Sequence, residues 1–474
     1  MTTEASTGAE AEATGASTAR SWGLILAAIV GAEFLLQLDG TIITVSLPNM
    51  QSHLGLGITA ASWVVTGFFV AFGGLLLLAG RLGDVLGHRR VFLAGIGLIT
   101  VASLIAGLAP NFPVLVAGRV LQGAGAGLAG PSGLALLTIL FDDDRRQRAF
   151  GVYSTVTGLG ASAGMLLGGL LTWAGQWRWS LLVNVPICLV ILAIGVRVLG
   201  VRAGERNQRS IGLTSGVLVT LTLAALIYGL SSASQHGWTD TATIVSLIAF
   251  VVLAAILFTV DSRTAEPLLP ARVFTDRARL GGLLNLVLSA AALTSFLVYV
   301  NQYLHTVLGL SAVQNGLAIL PFALALLATA QLLGKYIGKI DLKVRAVVGL
   351  VLMLGALVWL TQLGAGSSYV TGVLPQIILL GAGIGLAIVP FNMIVLSSAA
   401  PEDTGIVAGV AQLALTVGGS VGVAVLLIPF TEGGHGIAAN ISKVFVWGAA
   451  IVLVALIVSA VFWFGPGARK TAAA

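Results

Sequence analysis

The chain has 474 residues, 57% of them hydrophobic and only 9% charged, with a mean hydropathy of +1.02. Soluble globular domains carry about 25% charged residues, so this composition excludes a water-soluble globule and places the chain in a bilayer. The formal net charge of +6 is spread over alternate loops rather than gathered in one patch, which excludes a nucleic-acid surface, and the single cysteine, Cys188 in an apolar run, excludes an intrachain disulfide or a multi-cysteine metal or redox centre.

Residues 1–21, rich in Thr, Ala, Gly and Glu without an apolar core, read as a disordered cytoplasmic tail. Crossing ~30 Å of hydrocarbon takes a run of about 18–25 apolar residues. Fourteen such runs follow, at 22–45, 59–80, 91–109, 113–140, 149–173, 180–199, 211–231, 241–260, 280–304, 312–334, 345–364, 369–398, 405–430 and 443–464, before a second cytoplasmic tail at 465–474. The first run, within AEFLLQLDGTIITVSLP, holds Glu33 and Asp39, the only acidic residues inside any of these runs. A carboxylate at mid-bilayer costs ~2.5–3.5 kcal/mol, so each must face a water-filled cavity or be held protonated. A group that alternates between the two states can carry protons.

Between the second and third runs lies GRLGDVLGHRR, residues 80–90. Gly80, Gly83 and Gly87 permit a tight turn, Asp84 can cap a helix N-terminus or pair with a base, and Arg89 and Arg90 offer charge partners or lipid anchors. In the fourth run Arg119 is the only base within the membrane, and Gln122, three residues on, shares its helix face. Gly123 and Gly127, then Gly160, Gly164 and Gly168, have the small-xxx-small spacing that lets helix backbones approach, which puts the fourth and fifth runs in the bundle interior. The seventh and eighth runs, joined by SSASQHGWTD, carry no buried charge and read as peripheral packing. Candidates for a substrate cavity are Gln37, Gln122, Tyr153, Asn285, Tyr299, Asn392 and Gln412; helix-to-helix hydrogen bonding is the competing role for each.

Apart from Arg119, Arg178 and Lys443, every Lys and Arg falls in loops on one side, which predicts that both termini are cytoplasmic. GAGAGLA at 123–129 recurs as GAGIGLA at 381–387, and the same shift of 258 residues carries Gly151, Gly160 and Gly164 onto Gly409, Gly418 and Gly422. Two six-helix halves, 22–200 and 280–464, separated by two inserted helices in 201–279, are the simplest solution. Repeats of equal orientation suit a transporter that rocks two bundles about a central site. Ile377 stands at the place of Arg119, so proton chemistry is expected in the first half. No GxxxxGK[ST] phosphate loop occurs, leaving an ion gradient as the energy source. The five histidines lack metal spacing and no nucleophile has a base beside it, which argues against an enzyme.

On GRLGDVLGHRR, RVLQGAG at 119–125, LDGTIITVSLP at 38–48 and WRWSLLVNVP at 177–186, the chain resembles the major facilitator superfamily, specifically its fourteen-segment drug:proton antiporter branch, over residues 22–464. The resemblance implies an all-α integral membrane fold of 14 transmembrane helices, two pseudo-symmetric six-helix bundles plus two inserted helices. It further implies a proton-coupled exporter of small hydrophobic or cationic compounds, a functional monomer in the inner (plasma) membrane, with no cofactor and no metal. Within that reading Gly80, Asp84, Gly87, Arg89 and Arg90 form a cytoplasmic gate, Arg119 takes part in proton coupling, and Asp39 is the principal proton carrier. Glu33 is a second protonation site or a recognition site for cations. Met165 stands where the antiporter motif of the fifth helix has proline. A nutrient importer or facilitator on the same scaffold, or a sensor that binds without turnover, therefore stays open.

Overall fold

In hydrocarbon every backbone N–H and C=O has to find its partner within its own segment, which a helix achieves. The computed structural model describes residues 4–56, 58–173, 177–199, 213–264, 267, 272–310, 312–336, 340–364, 366–397, 399–400, 403–431 and 436–465, with side chains described from Trp22 onward except at some helix positions, most of them in Asp143–Trp173 and Ala312–Tyr336. Each of the expected apolar runs lies on a helix. In chain order these are α1 (Glu4–Leu54), α2 (Ile58–Leu86), α3 (His88–Gly107), α4 (Phe112–Leu140), α5 (Asp143–Trp173), α6 (Asn184–Val198), α7 (Leu213–His236), α8 (Thr241–Asp261), α9 (Arg277–Thr306), α10 (Ala312–Tyr336), α11 (Leu342–Leu360), α12 (Leu374–Ser397), α13 (Thr404–Thr431) and α14 (Ile437–Ser459). Short helices at Arg178–Leu182 and Tyr369–Gly372 lead into α6 and α12.

Among the described residues, 12 helices are long and apolar enough to cross a membrane. The other two expected runs fall on α5, which opens with the charged stretch DDRRQR, and on α10, whose apolar stretch Gln314–Thr329 is shorter. Helix α1 begins at Glu4, so the backbone of residues 4–21, expected as a disordered tail, is helical; Ala and Glu are strong helix formers.

The helix packing repeats with a period of eight helices. In the first half α3 packs on α4 and α6, α2 on α4, and α1 on α5 and α6; in the second, α11 packs on α12 and α14, α10 on α12, and α9 on α13 and α14. Glycine contacts repeat with it. A Cβ on Gly123 would overlap the Phe68 carbonyl oxygen, and one on Gly381 that of Phe322. Gly160 lies against the Phe34 backbone and Gly418 against that of Val287. The halves meet where α2 packs on α13 and where α5 packs on α10 and α12.

The inserted pair is only partly peripheral. Helix α8 packs on α7, but α7 runs along α2 and also touches α13, covering one of the two seams between the halves. Its register against α2 is fixed at several levels: Thr220 O lies where a Gly74 Cβ would come within 3.1 Å, the Trp63 and Tyr228 rings stack at 5.4 Å, and the Thr66 and Ser231 hydroxyls are 3.2 Å apart. From the connection after α7, Trp238 Nε1 donates to the Ala424 carbonyl oxygen of α13 at 3.3 Å.

Candidate functional site

Helix α4 starts at Asn111, whose side chain accepts from Val114 N, and it runs with bare glycines toward its neighbours. Gly127 lies 2.8 Å, measured to an added Cβ, from the Phe72 carbonyl oxygen of α2, and Gly125 is equally close to Gly95 O of α3. Missing side chains thus draw α2, α3 and α4 together around Arg119, which is 1% exposed. Arg119 Nη1 donates to Asp39 Oδ2 at 2.6 Å and to Gln122 Oε1 at 2.9 Å, and Nε donates to the Val64 carbonyl oxygen at 3.0 Å. Its guanidinium lies 4.5 Å from the centroid of the Phe68 ring. Gln122 Nε2 donates to Ser103 Oγ at 2.8 Å, and Asn184 Nδ2 donates to Asp39 Oδ1 at 2.6 Å. One buried network therefore ties α1, α2, α3, α4 and α6 of the first half. Buried ion pairs persist where further hydrogen bonds satisfy both partners, as here.

Glu33 belongs to a second network on a different face of α1, toward α5. Tyr153 Oη donates to Oε2 at 2.7 Å, while Gln37 Nε2 at 2.9 Å and Thr157 Oγ1 at 3.1 Å donate to Oε1. Three glycines of α5 seat it on α1: Gly160 against Gln37 Cβ and Phe34 O, Gly164 against Thr41 and Leu38 O, and Gly168 against Val45 and Ile42 O. The side chain of Met165 lies outside the described residues.

The turn between α2 and α3 forms a third cluster. Gly87 adopts φ +93, a left-handed conformation that favours glycine. Asp84 reaches across to the other half and accepts at the N-terminus of α13, from Gly405 N at 2.8 Å and Ile406 N at 3.1 Å, where unpaired N–H groups and the helix dipole favour a carboxylate. His88 Nε2 lies 3.2 Å from Asp84 Oδ1. This approach needs Gly80 and Gly405 facing each other, since a Cβ on either would overlap the other's carbonyl oxygen. Arg89 Nη2 donates to the Val196 carbonyl oxygen of α6 at 3.0 Å, and Arg90 is exposed. One residue before α13, Asp403 accepts from Arg272 Nε at 2.7 Å and Nη2 at 2.8 Å.

Of the residues expected to line a cavity, Gln37 and Tyr153 come together at Glu33, and Gln122 joins Arg119. The four in the second half lie on α9, α12 and α13. Asn285 Nδ2 donates to Ser459 Oγ of α14 at 3.1 Å, Asn392 Nδ2 to the Ile388 carbonyl oxygen of its own helix at 3.1 Å, and the Tyr299 ring packs 5.2 Å from that of Phe430. Gln412 is 6% exposed and its Oε1 has no hydrogen-bond partner. Asn184, Ser103, Thr157, His88 and Gly405 join these clusters without being among the candidates that the sequence offers. Asn184 and His88 carry a signal, their places in WRWSLLVNVP and, four residues after Asp84, in GRLGDVLGHRR; the others carry none that composition or spacing would reveal. No group of His, Cys, Asp and Glu among the described residues has the arrangement of a metal site.

The profile of the Major Facilitator Superfamily matches residues 29–211 and 202–423. The puromycin resistance protein of Streptomyces alboniger is 36% identical over 416 residues, 86% of this chain and 81% of its own length. The cephamycin export protein of Amycolatopsis lactamdurans is 35% identical over 435 residues, 91% of this chain and 89% of its own. Among solved structures the proton:xylose symporter XylE superposes with a TM-score of 0.65 at 14% identity, covering 95% of this chain and 96% of that one, a likeness of fold. The relatives are transporters rather than enzymes. The chain is a multi-pass membrane protein that belongs to the Major Facilitator Superfamily, where it groups with drug- and antibiotic-export members.

Proposed function

We propose that this protein is a proton-coupled exporter of small hydrophobic or cationic compounds, working by alternating access as a monomer. In this reading it spans the plasma membrane 14 times, with both termini in the cytoplasm. The observation that carries the reading is the sealed Asp39–Arg119 pair in the first half, 2.6 Å long, where the second half has Ala292 and Ile377 at the equivalent places. An ion pair confined to one of two bundles that share a packing plan gives that bundle a charge state that can be coupled to rocking. The contact of Asp84 with the N-terminus of α13 supports a gate that closes the cytoplasmic side and must part for cargo to enter. One proton moving down ~150 mV releases ~3.5 kcal/mol, enough for a concentration ratio of a few hundred.

The test is proton movement by purified protein in proteoliposomes under an imposed pH gradient, with a panel of cationic dyes and antibiotics added. Cargo-triggered proton flux is expected in the unaltered chain and lost in Asp39→Asn. If no compound moves protons, a facilitator or a sensor replaces this reading; if Asp39→Asn still couples, the carrier assignment falls.

A further inference from the structure

The two acidic residues of α1 sit in different surroundings. Asp39, Arg119, Gln122, Ser103 and Asn184 are all 4% exposed or less, so nothing reaches the Asp39 carboxylate without opening the ion pair. Glu33 is equally buried, but two of the three donors over it, Gln37 and Thr157, are half-buried and form a rim. Its partners Gln37, Tyr153 and Thr157 are all neutral. A buried carboxylate held by neutral donors lacks the compensation an ion pair supplies, and a cation arriving at the rim would provide it. The position suits cargo, because α5, which carries Tyr153 and Thr157, is also the helix by which the first half meets α10 and α12 of the second.

The second half shows what body such a cation would have. The glycine contacts set the correspondence, α1 onto α9 by 253 residues and α5 onto α13 by 258, which places Leu286, Ala290, Ala411 and Leu415 at the positions of Glu33, Gln37, Tyr153 and Thr157. A polar, acid-bearing quartet in one half thus has a wholly apolar counterpart in the other. The first bundle can therefore offer a ligand a carboxylate, while the matching place in the second offers only hydrocarbon.

We infer that Glu33, Gln37, Tyr153 and Thr157 form a cargo-recognition site for a protonated amine borne on an apolar body, separate from the Asp39–Arg119 pair; this rests on the reading of the chain as an exporter. The exchange needs little rearrangement. Thr157 Oγ1 already lies 3.0 Å from the Tyr153 carbonyl oxygen, so its single proton can turn from Glu33 to that acceptor as the ammonium N–H takes its place on Oε1. Gln37, freed from Oε1, offers its amide oxygen to a second ammonium proton. Tyr153 keeps its hydrogen bond to Oε2 and holds the carboxylate in place.

The site is tested by equilibrium binding to the full chain in lipid nanodiscs, with puromycin, which carries a primary ammonium, and N-acetylpuromycin, the same body without the charge. The unaltered chain is expected to prefer puromycin by about tenfold, equivalent to ~1.4 kcal/mol. Glu33→Gln is expected to erase that preference while N-acetylpuromycin binding stays within about twofold, a charge-specific change that a merely structural role would not give. Tyr153→Phe keeps the ring and is expected to lower the preference about threefold, which guards against a Glu33→Gln protein that does not fold. Asp39→Asn is expected to keep the preference and lose proton flux. A preference that survives in Glu33→Gln, or equal loss of both ligands in a folded Glu33→Gln protein, overturns the assignment, as does an unaltered chain that binds both compounds equally or neither. The exporter reading has its own failure, absence of cargo-driven proton flux across the panel of dyes and antibiotics, and it survives if flux persists while the puromycin preference is missing.

Discussion

Arg119→Ala is expected to destabilise the protein by about 3–5 kcal/mol and to abolish coupled transport, whereas Arg119→Gln combined with Asp39→Asn recovers most of the stability and none of the coupling. The single change removes the donor to Asp39 Oδ2, to the Val64 carbonyl oxygen and to Gln122, and it empties the space 4.5 Å above the Phe68 ring. Asp39 then keeps only the Asn184 amide among these partners, an uncompensated charge in a site 4% exposed. In the neutral double variant the Coulombic attraction disappears together with the desolvation cost it offsets, and the amide of Asn at position 39 can still bond across to Gln. Thermal unfolding in lipid, run as a double-mutant cycle over the four proteins, reads the coupling between the two positions directly. A double variant as unstable as Arg119→Ala would mean that lost packing over Phe68, and not a lost charge partner, sets the cost. Proton flux in the same four proteins separates stability from coupling, since only the unaltered chain is expected to show it.

Much of this arrangement was legible in the sequence because the bilayer enforces it. Apolar runs had to become helices, and each lies on one. The 258-residue repeat of glycines had to reflect a repeat of close contacts, and Gly123 on Phe68 is matched by Gly381 on Phe322. Arg119 had to find an acid in the first half, and Asp39 is there. Asp84 was readable as a residue that caps a helix or pairs with a base, and it does both, with His88 beside it. That the capped helix begins 321 residues away was not readable, because local chemistry names the kind of partner and not its address. Hydropathy likewise showed two inserted helices without showing which neighbour they cover, so the seat of α7 over the α2–α13 seam came only with the fold. Polarity inside an apolar run is ambiguous for the same reason: Asn285 and Asn392 donate their amide N–H to other helix groups while their buried amide oxygens have no hydrogen-bond partner, and Gln37 turns to Glu33.

The proposed gate yields the second large effect. Gly405→Ala is expected to hold the α2–α13 seam apart at the end bearing Asp84. The added Cβ would overlap the Gly80 carbonyl oxygen and lie 2.5 Å from both Asp84 Oδ1 and His88 Cε1, so backbone on one side and a hydrogen-bonded pair on the other leave it no room. Moving α13 away breaks the two bonds from Gly405 N and Ile406 N to the carboxylate. Hydrogen bonds to a charged group contribute ~1.5–3 kcal/mol each, so losing even one lowers the ratio of closed to open molecules by about ten- to a hundredfold. Transport should fall by a similar factor, because alternating access requires this side to close. Asp84→Asn, which keeps one acceptor and adds no bulk, is expected to weaken the gate less. The only cysteine, Cys188, is buried, so accessibility can be read from one introduced thiol: Thr416→Cys, beside Gly73 on the seam, in a Cys188→Ser background. A membrane-impermeant maleimide applied from the gate side should label that thiol faster when Gly405→Ala is present. Unchanged labelling with transport retained would mean that the helices separate and meet without this contact, and the gate would have to be sought at the α5–α10 seam instead.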